Sequence, residues 1–84
     1  MVQEKLAACV SILPAVTSIF RWQGKVERSR ETLMILKTTS TRYRALQQAI
    51  CSMHSYEVPE VVAIGVDRGL PQYVAWVMRE TTGN

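Results

Sequence analysis

Residues 9–38 read CVSILPAVTSIFRWQGKVERSRETLMILKT and decide the fold, because two runs rich in apolar and β-branched residues flank a turn. We predict one strand over residues 9–13, an interruption at Pro14, which lacks a backbone N–H for the ladder, and a strand over residues 16–22. Gly24 tolerates the positive φ of a tight turn, so the chain is expected to reverse there.

The return strand is predicted over residues 26–38. Polar residues alternate along this strand up to Glu31, whereas residues 33–36 are continuously apolar. A continuous apolar run is typical of a strand that is buried on both faces, so we expect this half of the hairpin to be covered on both sides.

The remaining segments complete an α+β pattern. Residues 1–8 resemble the last two turns of a helix, and the other expected elements are a helix over 42–53, a buried strand over 61–66 and a helix over 71–81. With a strand and a helix start supplied in front, the order becomes β-α-β-β-α-β, which is the ferredoxin-like split βαβ sandwich. The usual first strand, which lies centrally in that sheet, and most of the first helix have no counterpart.

The inward faces of the two longer helices follow from their apolar spacing. For the helix over 42–53 the expected inward residues are Ala45, Leu46, Ala49, Ile50 and Met53. For the helix over 71–81 they are Tyr73, Val74, Val77 and Met78.

Length and composition limit the class of protein. The 84 residues, 48% hydrophobic and 20% charged, indicate a single globular domain over residues 1–84. A chain of this size buries only about 60% of its unfolded surface, so a monomer is marginally stable. Two cysteines 42 residues apart exclude a zinc knuckle and a disulfide scaffold, and they favour reduced thiols in the cytoplasm. No apolar run approaches the ~20 residues that span a bilayer, so we expect no membrane partner.

An imidazole and carboxylates cluster at His54, Glu57 and Glu60, with Tyr56 beside them. These groups could bind a divalent metal ion, or they could be a cationic helix end followed by a structured loop. One histidine with carboxylates lacks zinc-like spacing. Cys9 is either a small buried hydrophobe or, if an imidazole approaches it, a soft ligand for copper.

The hairpin carries two further candidates. Phe20 and Trp22 lie two residues apart on one strand face, where they could stack on a base, although a core or subunit contact is more typical. Lys37 ends the apolar run and either emerges at the sheet rim or pairs with a carboxylate such as Glu57. The return strand has no aromatic residue and its arginines alternate with glutamates, which argues against a nucleic-acid partner.

Six motifs resemble the CutA divalent-cation-tolerance family in order and spacing. They are KLAACV at 5–10, VTSIF at 16–20, WQGKVE at 22–27, LKT at 36–38, HSYEVPE at 54–60 and YVAWV at 73–77. The match covers the chain from Lys5, and the pieces WQGKVE and HxYEVPE are specific. The resemblance implies a ferredoxin-like subunit in a tight homotrimer whose long hairpin extends sheets across subunit boundaries. It also implies divalent-metal tolerance, notably to copper, with no catalytic reaction and no organic cofactor.

Carried over by position, the resemblance implies metal ligands at Cys9 and His54, with Glu57 or Glu60 assisting. It implies an inter-subunit pocket at Trp22, Lys37 and Tyr56. Ser55 replaces the usual proline of the HxYEVPE motif, which loosens the loop that aims His54. We therefore predict a non-enzymatic, cytoplasmic homotrimer that binds Cu(II) or a similar ion weakly. The alternative is a trimeric regulatory or scaffolding module that binds a small anionic metabolite or a protein segment between subunits.

Overall fold

The structure is a computed structural model of one chain, and it describes residues 1–53 and 60–82. In that part, two antiparallel strands, β1 (Cys9–Trp22) and β2 (Lys25–Lys37), precede two helices, α1 (Ser40–Met53) and α2 (Pro71–Thr81). The predicted hairpin and both longer helices are confirmed, and the protein is a small α+β chain. Neither helix is long and apolar enough to cross a membrane.

A two-residue turn joins the strands of the hairpin. Gln23 and Gly24 have φ angles of 52° and 81°, and positive φ at both central positions defines a type I′ turn. This turn matches the right-handed twist of the flanking strands, so β1 and β2 pair without splaying. Trp22 pairs with Lys25 at this tip, and Cys9 pairs with Lys37 at the opposite end.

A β-bulge, rather than a break, lies where the sequence predicts an interruption. Leu13 pairs with Leu33 and Val16 pairs with Glu31, so β1 carries one residue more than β2 between these pairs. Ala15 takes a left-handed φ of 60° there. Because a bulge leaves a residue unpaired, Pro14 interrupts no required hydrogen bond and β1 continues as one strand.

The core is small and lies between the base of the hairpin and α1. Ala7, Leu46 and Ile50 are its buried centre, and Val10 and Leu36 pack against it. Met53, expected on the inward face of α1, is 64% exposed because it lies at the helix end beyond this contact.

The inward face predicted for α2 is largely wrong for the single chain. Val77 is buried, whereas Tyr73, Val74 and Met78 are exposed. The physical reason is that α2 meets the rest of the described chain over a small area, where Arg42 Nε of α1 donates to the Thr81 carbonyl oxygen at 2.6 Å.

Residues 1–8 form a turn rather than the predicted helical turns. Lys5 N donates to the Val2 carbonyl at 3.0 Å and Leu6 N to the Met1 carbonyl at 2.9 Å, and Lys5 has a left-handed φ of 63°. A short helical segment gains too few hydrogen bonds to offset nucleation. The turn is instead fixed to the hairpin, because Thr38 Oγ1 donates to the Leu6 carbonyl at 2.6 Å.

The strand predicted over residues 61–66 is also absent from the described part of the chain. Val62 is 73% exposed and Ile64 is 87% exposed, and the segment pairs with no strand. A strand needs a neighbour that accepts and donates its ladder hydrogen bonds, and among the described residues none lies beside this segment.

The described chain is elongated. Its Cα radius of gyration is 15.0 Å, against about 12 Å for a compact domain of this length. Its accessible surface is 7140 Å², whereas a folded monomer of this mass exposes about 5,000 Å². The chain therefore leaves open a surface that a self-sufficient domain would bury.

Candidate functional site

At its base the hairpin has one face against α1 and the other face open to solvent. Side chains alternate along each strand, so Val10 and Leu36, which contact the core, share the covered face. We call the other side the open face; its β1 residues are Cys9, Ser11, Leu13, Val16, Ser18, Phe20 and Trp22. Leu33 and Ile35, the β2 members beside Leu13, are 49% and 48% exposed. The expectation that residues 33–36 are covered on both sides is thus wrong for one chain, because α1 covers only one side.

A thiol, an ammonium group and a hydroxyl meet at the base of the open face. Lys37 Nζ donates to Ser11 Oγ at 2.6 Å and lies 3.8 Å from Cys9 Sγ. All three side chains are half-buried. Ala8 N donates to the Lys37 carbonyl at 2.8 Å, so the backbone at this point is held by the N-terminal turn.

The bulge places these groups together. Between the turn and Val16, Trp22 pairs with Lys25 and each later pair follows one residue further along both strands. If this register continued without the bulge, Lys37 would pair with Val10. Cys9 would then lie on the face opposite to Lys37, since a shift of one residue exchanges the two faces of a strand. The extra residue at Pro14 and Ala15 restores the pairing of Cys9 with Lys37.

Of the predicted pocket residues, two lie at opposite ends of the hairpin. Trp22 is 57% exposed at the tip and Lys37 lies at the base, and both belong to the open face. At about 3.3 Å per residue the two ends are roughly 40 Å apart along the strand. One chain therefore does not bring Trp22 and Lys37 together. Tyr56, the third predicted residue of this pocket, lies outside the described residues.

Of the predicted metal ligands, Cys9 and Glu60 are described, whereas His54 and Glu57 lie outside the described residues. Glu60 is exposed and forms no ion pair within residues 1–53 and 60–82. In the same ranges no three His, Cys, Asp or Glu side chains converge. The described residues alone do not form a metal site.

The side chains at the base of the hairpin favour the binding of an anion over that of a cation. An ammonium 3.8 Å from a thiol repels a metal ion that approaches the sulfur, and it attracts a carboxylate or phosphate. No carboxylate of the described chain pairs with Lys37. A metal ion at Cys9 therefore has to displace the Lys37 side chain or tolerate its charge.

Ser11 is the member of this group that the sequence analysis missed. Its hydroxyl accepts from Lys37, although Ser11 pairs with Ile35 and stands diagonally opposite the lysine. Side chains alternate between the two faces of β1, so Ser11 lies on the same face as Cys9. This alternation, together with the register that the bulge sets, could have identified Ser11 as a partner of Lys37.

The fold defines a small α+β protein whose largest element is a projecting antiparallel hairpin. The chain belongs to the CutA1 family, since the family described as "CutA1 divalent ion tolerance protein" matches residues 1–80. The resemblance carried by the six motifs is therefore confirmed.

Named relatives cover nearly the whole chain. It is 45% identical over 83 residues to the divalent-cation tolerance protein CutA of Thermus thermophilus, spanning 99% of this chain and 80% of that protein. It is 46% identical over 81 residues to the protein CutA of Mus musculus, which covers 96% of this chain. The chain spans about half, 46%, of the mouse protein's length.

Solved structures superpose closely. The divalent cation tolerance protein Cut A1 from Thermus thermophilus matches with a TM-score of 0.92 and 42% identity, over 96% of this chain and 79% of that one. A structure described as the PII-like protein CutA from Nostoc, in apo form, matches with a TM-score of 0.88 and 38% identity, again over 96% of this chain and 79% of that one.

Proposed function

We propose that the chain assembles as a homotrimer with ferredoxin-like subunits, which binds Cu(II) or a similar divalent cation weakly and serves metal tolerance without catalysing a reaction. The membership of the divalent ion tolerance family supports the metal relation. The observation that carries the assembly is the open face of the hairpin, because its apolar residues Leu13, Leu33 and Ile35 are all more than 40% exposed in one chain.

Identical copies explain how the two ends of the open face could form one pocket. The tip of one hairpin, with Trp22, reaches the base of a neighbouring hairpin, with Lys37, in the proposed assembly. The accessible surface exceeds that of a typical monomer by roughly 2,000 Å². A standard protein interface buries about 800 Å² of each partner, so this excess is enough for contacts with two neighbours. Tyr56 is proposed as the third residue of this inter-subunit pocket.

Cys9 and His54 are the proposed metal ligands, with Glu57 or Glu60 assisting. Thiolate and imidazole favour copper over magnesium or calcium. The Lys37 ammonium beside Cys9 opposes a cation at this position, so the proposed binding is weak.

Copper titration under anaerobic conditions tests this ligand set. We expect His54→Ala and Cys9→Ser each to weaken Cu(II) binding about tenfold or more, because each removes a donor atom. Cys51→Ser is the matched control, since Cys51 is an exposed free thiol on α1. Equal affinity of the His54→Ala protein and the wild type removes His54 from the site, and equal effects of Cys9→Ser and Cys51→Ser would remove Cys9.

The second candidate function is a regulatory or scaffolding module that binds a small anion or a protein segment in the inter-subunit pocket. The half-buried Lys37 ammonium, which donates to Ser11 Oγ at 2.6 Å, specifically favours an anion. A thermal shift with inorganic phosphate, citrate and ATP in the presence of chelator separates the two candidates. Stabilisation by one of these anions that is lost in Lys37→Met supports the second candidate.

The proposed location is the cytoplasm. Cys9 and Cys51 are free thiols, and free thiols persist in a reducing compartment. Relatives named for the chloroplast and the periplasm show that the family occurs elsewhere too.

A further inference from the structure

The hairpin separates its charged residues between its two faces. Glu27 and Glu31 of β2 lie on the open face, because they pair with residues of that face. Arg28 and Arg30 occupy the alternate positions and lie on the other side, together with Arg21 of β1. An alternation of arginine and glutamate that balances charge along the sequence therefore produces one cationic face in the strand. We call this side of the hairpin, beyond the bulge, the arginine face; its residues are Thr17, Ile19, Arg21, Val26, Arg28 and Arg30.

The arginine face carries positive charge and no carboxylate. Its three arginines are exposed, and the ion pairs within residues 1–53 and 60–82 involve Glu4, Asp67 and Glu80 but none of these arginines. The open face is different, because its two lysines and two glutamates balance each other. The charge that favours an anionic partner is thus concentrated on one side of the hairpin.

The three arginines form one row with apolar side chains between them. Arg28 and Arg30 are two residues apart on β2, which is about 7 Å in an extended strand. Arg21 pairs with Val26, so it is a diagonal neighbour of Arg28, at about 7–8 Å. Ile19 pairs with Arg28 inside this row. Ile19 is 63% exposed and Val26 is 68% exposed, so α1 does not cover this part of the hairpin.

We propose that the arginine face binds an extended acidic segment of another protein, in which carboxylates flank an apolar side chain. Guanidinium groups bind carboxylates through two parallel hydrogen bonds, and arginine is enriched at protein interfaces. The apolar side chain of the segment covers Ile19 and Val26. The arginine face lies opposite to the open face, so the proposed trimer interface and the base with Lys37 leave it available.

The composition of the arginine face favours a peptide over the other polyanions that bind arginine. The face has no aromatic residue on which a base could stack, and a phosphodiester backbone has no apolar group that could cover Ile19 and Val26. Segments that lie in a bilayer interface present Trp, Phe or Leu at the membrane. The aromatic residues of this hairpin, Phe20 and Trp22, lie on the open face instead.

An NMR titration of the full chain with a synthetic peptide tests the site. The probe is Glu-Ser-Leu-Ser-Glu-Ser-Leu-Ser-Glu, whose glutamate and leucine side chains share one face when the peptide is extended. We expect the probe to shift the methyl signals of Ile19 and Val26 and the Nε–H signals of the three arginines, and to bind more weakly as salt is added. Control peptides with glutamine for glutamate, or with serine for leucine, should bind about fivefold or more weakly.

A matched pair of variants locates the binding. Arg28→Glu should weaken binding of the probe about tenfold or more, because attraction becomes repulsion within the row. Lys25→Glu makes the same change in net charge at an exposed residue of the open face. It should change the affinity about twofold or less at physiological salt, which screens distant charges.

Equal effects of the two variants, equal binding of the glutamine peptide, or unshifted signals on the arginine face at millimolar probe would each overturn the proposal. Tighter binding of a DNA duplex or of phosphatidylserine vesicles than of the probe would also overturn it, since the partner would then be a nucleic acid or a membrane. Signals of this face that shift with protein concentration alone would place a second copy there and overturn it too. The titration is run with chelator, so its outcome is independent of metal binding.

Discussion

Ala15 determines which side chains meet at the base of the hairpin. Its φ of 60° is a left-handed conformation that a Cβ atom disfavours by about 1–2 kcal/mol. The conformation belongs to the bulge that shifts the register by one residue between Leu13 and Val16. Because that shift brings Cys9 and Lys37 to one face, a strained residue supports the candidate site from outside it.

Substitution of Ala15 by glycine is expected to raise the free energy of unfolding by about 0.5–1 kcal/mol, because it removes the Cβ clash at a positive φ and adds some chain entropy. Ala45→Gly is the control, since Ala45 lies inside α1. Glycine there should lower the free energy of unfolding by about 1 kcal/mol. Urea unfolding of both variants at one protein concentration measures the difference. A loss of stability in Ala15→Gly would contradict the bulge geometry.

Lys37→Leu tests the electrostatics of the same site, because it removes the charge without adding a sulfur ligand for copper. Removal of the ammonium 3.8 Å from Cys9 Sγ is expected to strengthen Cu(II) binding by several-fold, because the like charge near the ligand disappears. Isothermal titration of the variant and the wild type gives the ratio. Weaker copper binding in the variant would mean that Lys37 does not oppose the metal.

The tight turn controls the hairpin as an element. Gly24 has a φ of 81° and a Cβ atom added there would meet nothing within 4 Å, so substitution strains only the backbone. Gly24→Ala is expected to lower the free energy of unfolding by about 1–2 kcal/mol. Gly65→Ala is a matched control, because its Cβ would also meet open space and no positive φ is involved. Equal stability of the two variants in urea would contradict the type I′ turn.

Local signals predicted the elements that local chemistry determines. Gly24 indicated the turn, and Pro71 marked the start of α2. The bulge could not be predicted, since Pro14 reads equally as a break, and only the long-range pairing of Cys9 with Lys37 shows that the strand continues. Residues 61–66 were predicted as a strand from their composition, but a strand also depends on a neighbour that the composition cannot supply.

The site was predictable to a smaller extent. The motifs singled out Cys9 and Lys37, which the structure places together, and Trp22, which it places at the far tip. Ser11 was not predicted, because its hydrogen bond with Lys37 depends on the register that the bulge sets. His54, Tyr56 and Glu57 remain predictions, since they lie outside the described residues.

At the scale of the whole molecule, exposed apolar surface is the dominant feature. The accessible surface of 7140 Å² exceeds the typical monomer value of about 5,000 Å². The hairpin contributes Leu13, Leu33 and Ile35 on its open face, and an exposed apolar patch of this kind marks an association surface. If this surface is the interface of the proposed trimer, the stability of the folded chain depends on protein concentration.

A charge on the open face is expected to dissociate the proposed assembly. If that face is the interface, Leu33→Asp should convert the proposed trimer to smaller species at micromolar concentration, because a buried unpaired carboxylate is strongly unfavourable. Val2→Asp is the control, since Val2 and Leu33 are both 49% exposed but Val2 lies in the N-terminal turn. Size-exclusion chromatography with light scattering compares the two, and an intact trimer in Leu33→Asp would remove the open face from the interface.

The mass of the wild-type chain in solution tests the central claim most directly. If identical copies bury each other's hairpins, sedimentation equilibrium gives about three times the chain mass of 9.5 kDa across a range of micromolar concentrations. A species of 9.5 kDa that unfolds cooperatively in dilute buffer would contradict the claim, because it would show that one chain stabilises its own apolar strands.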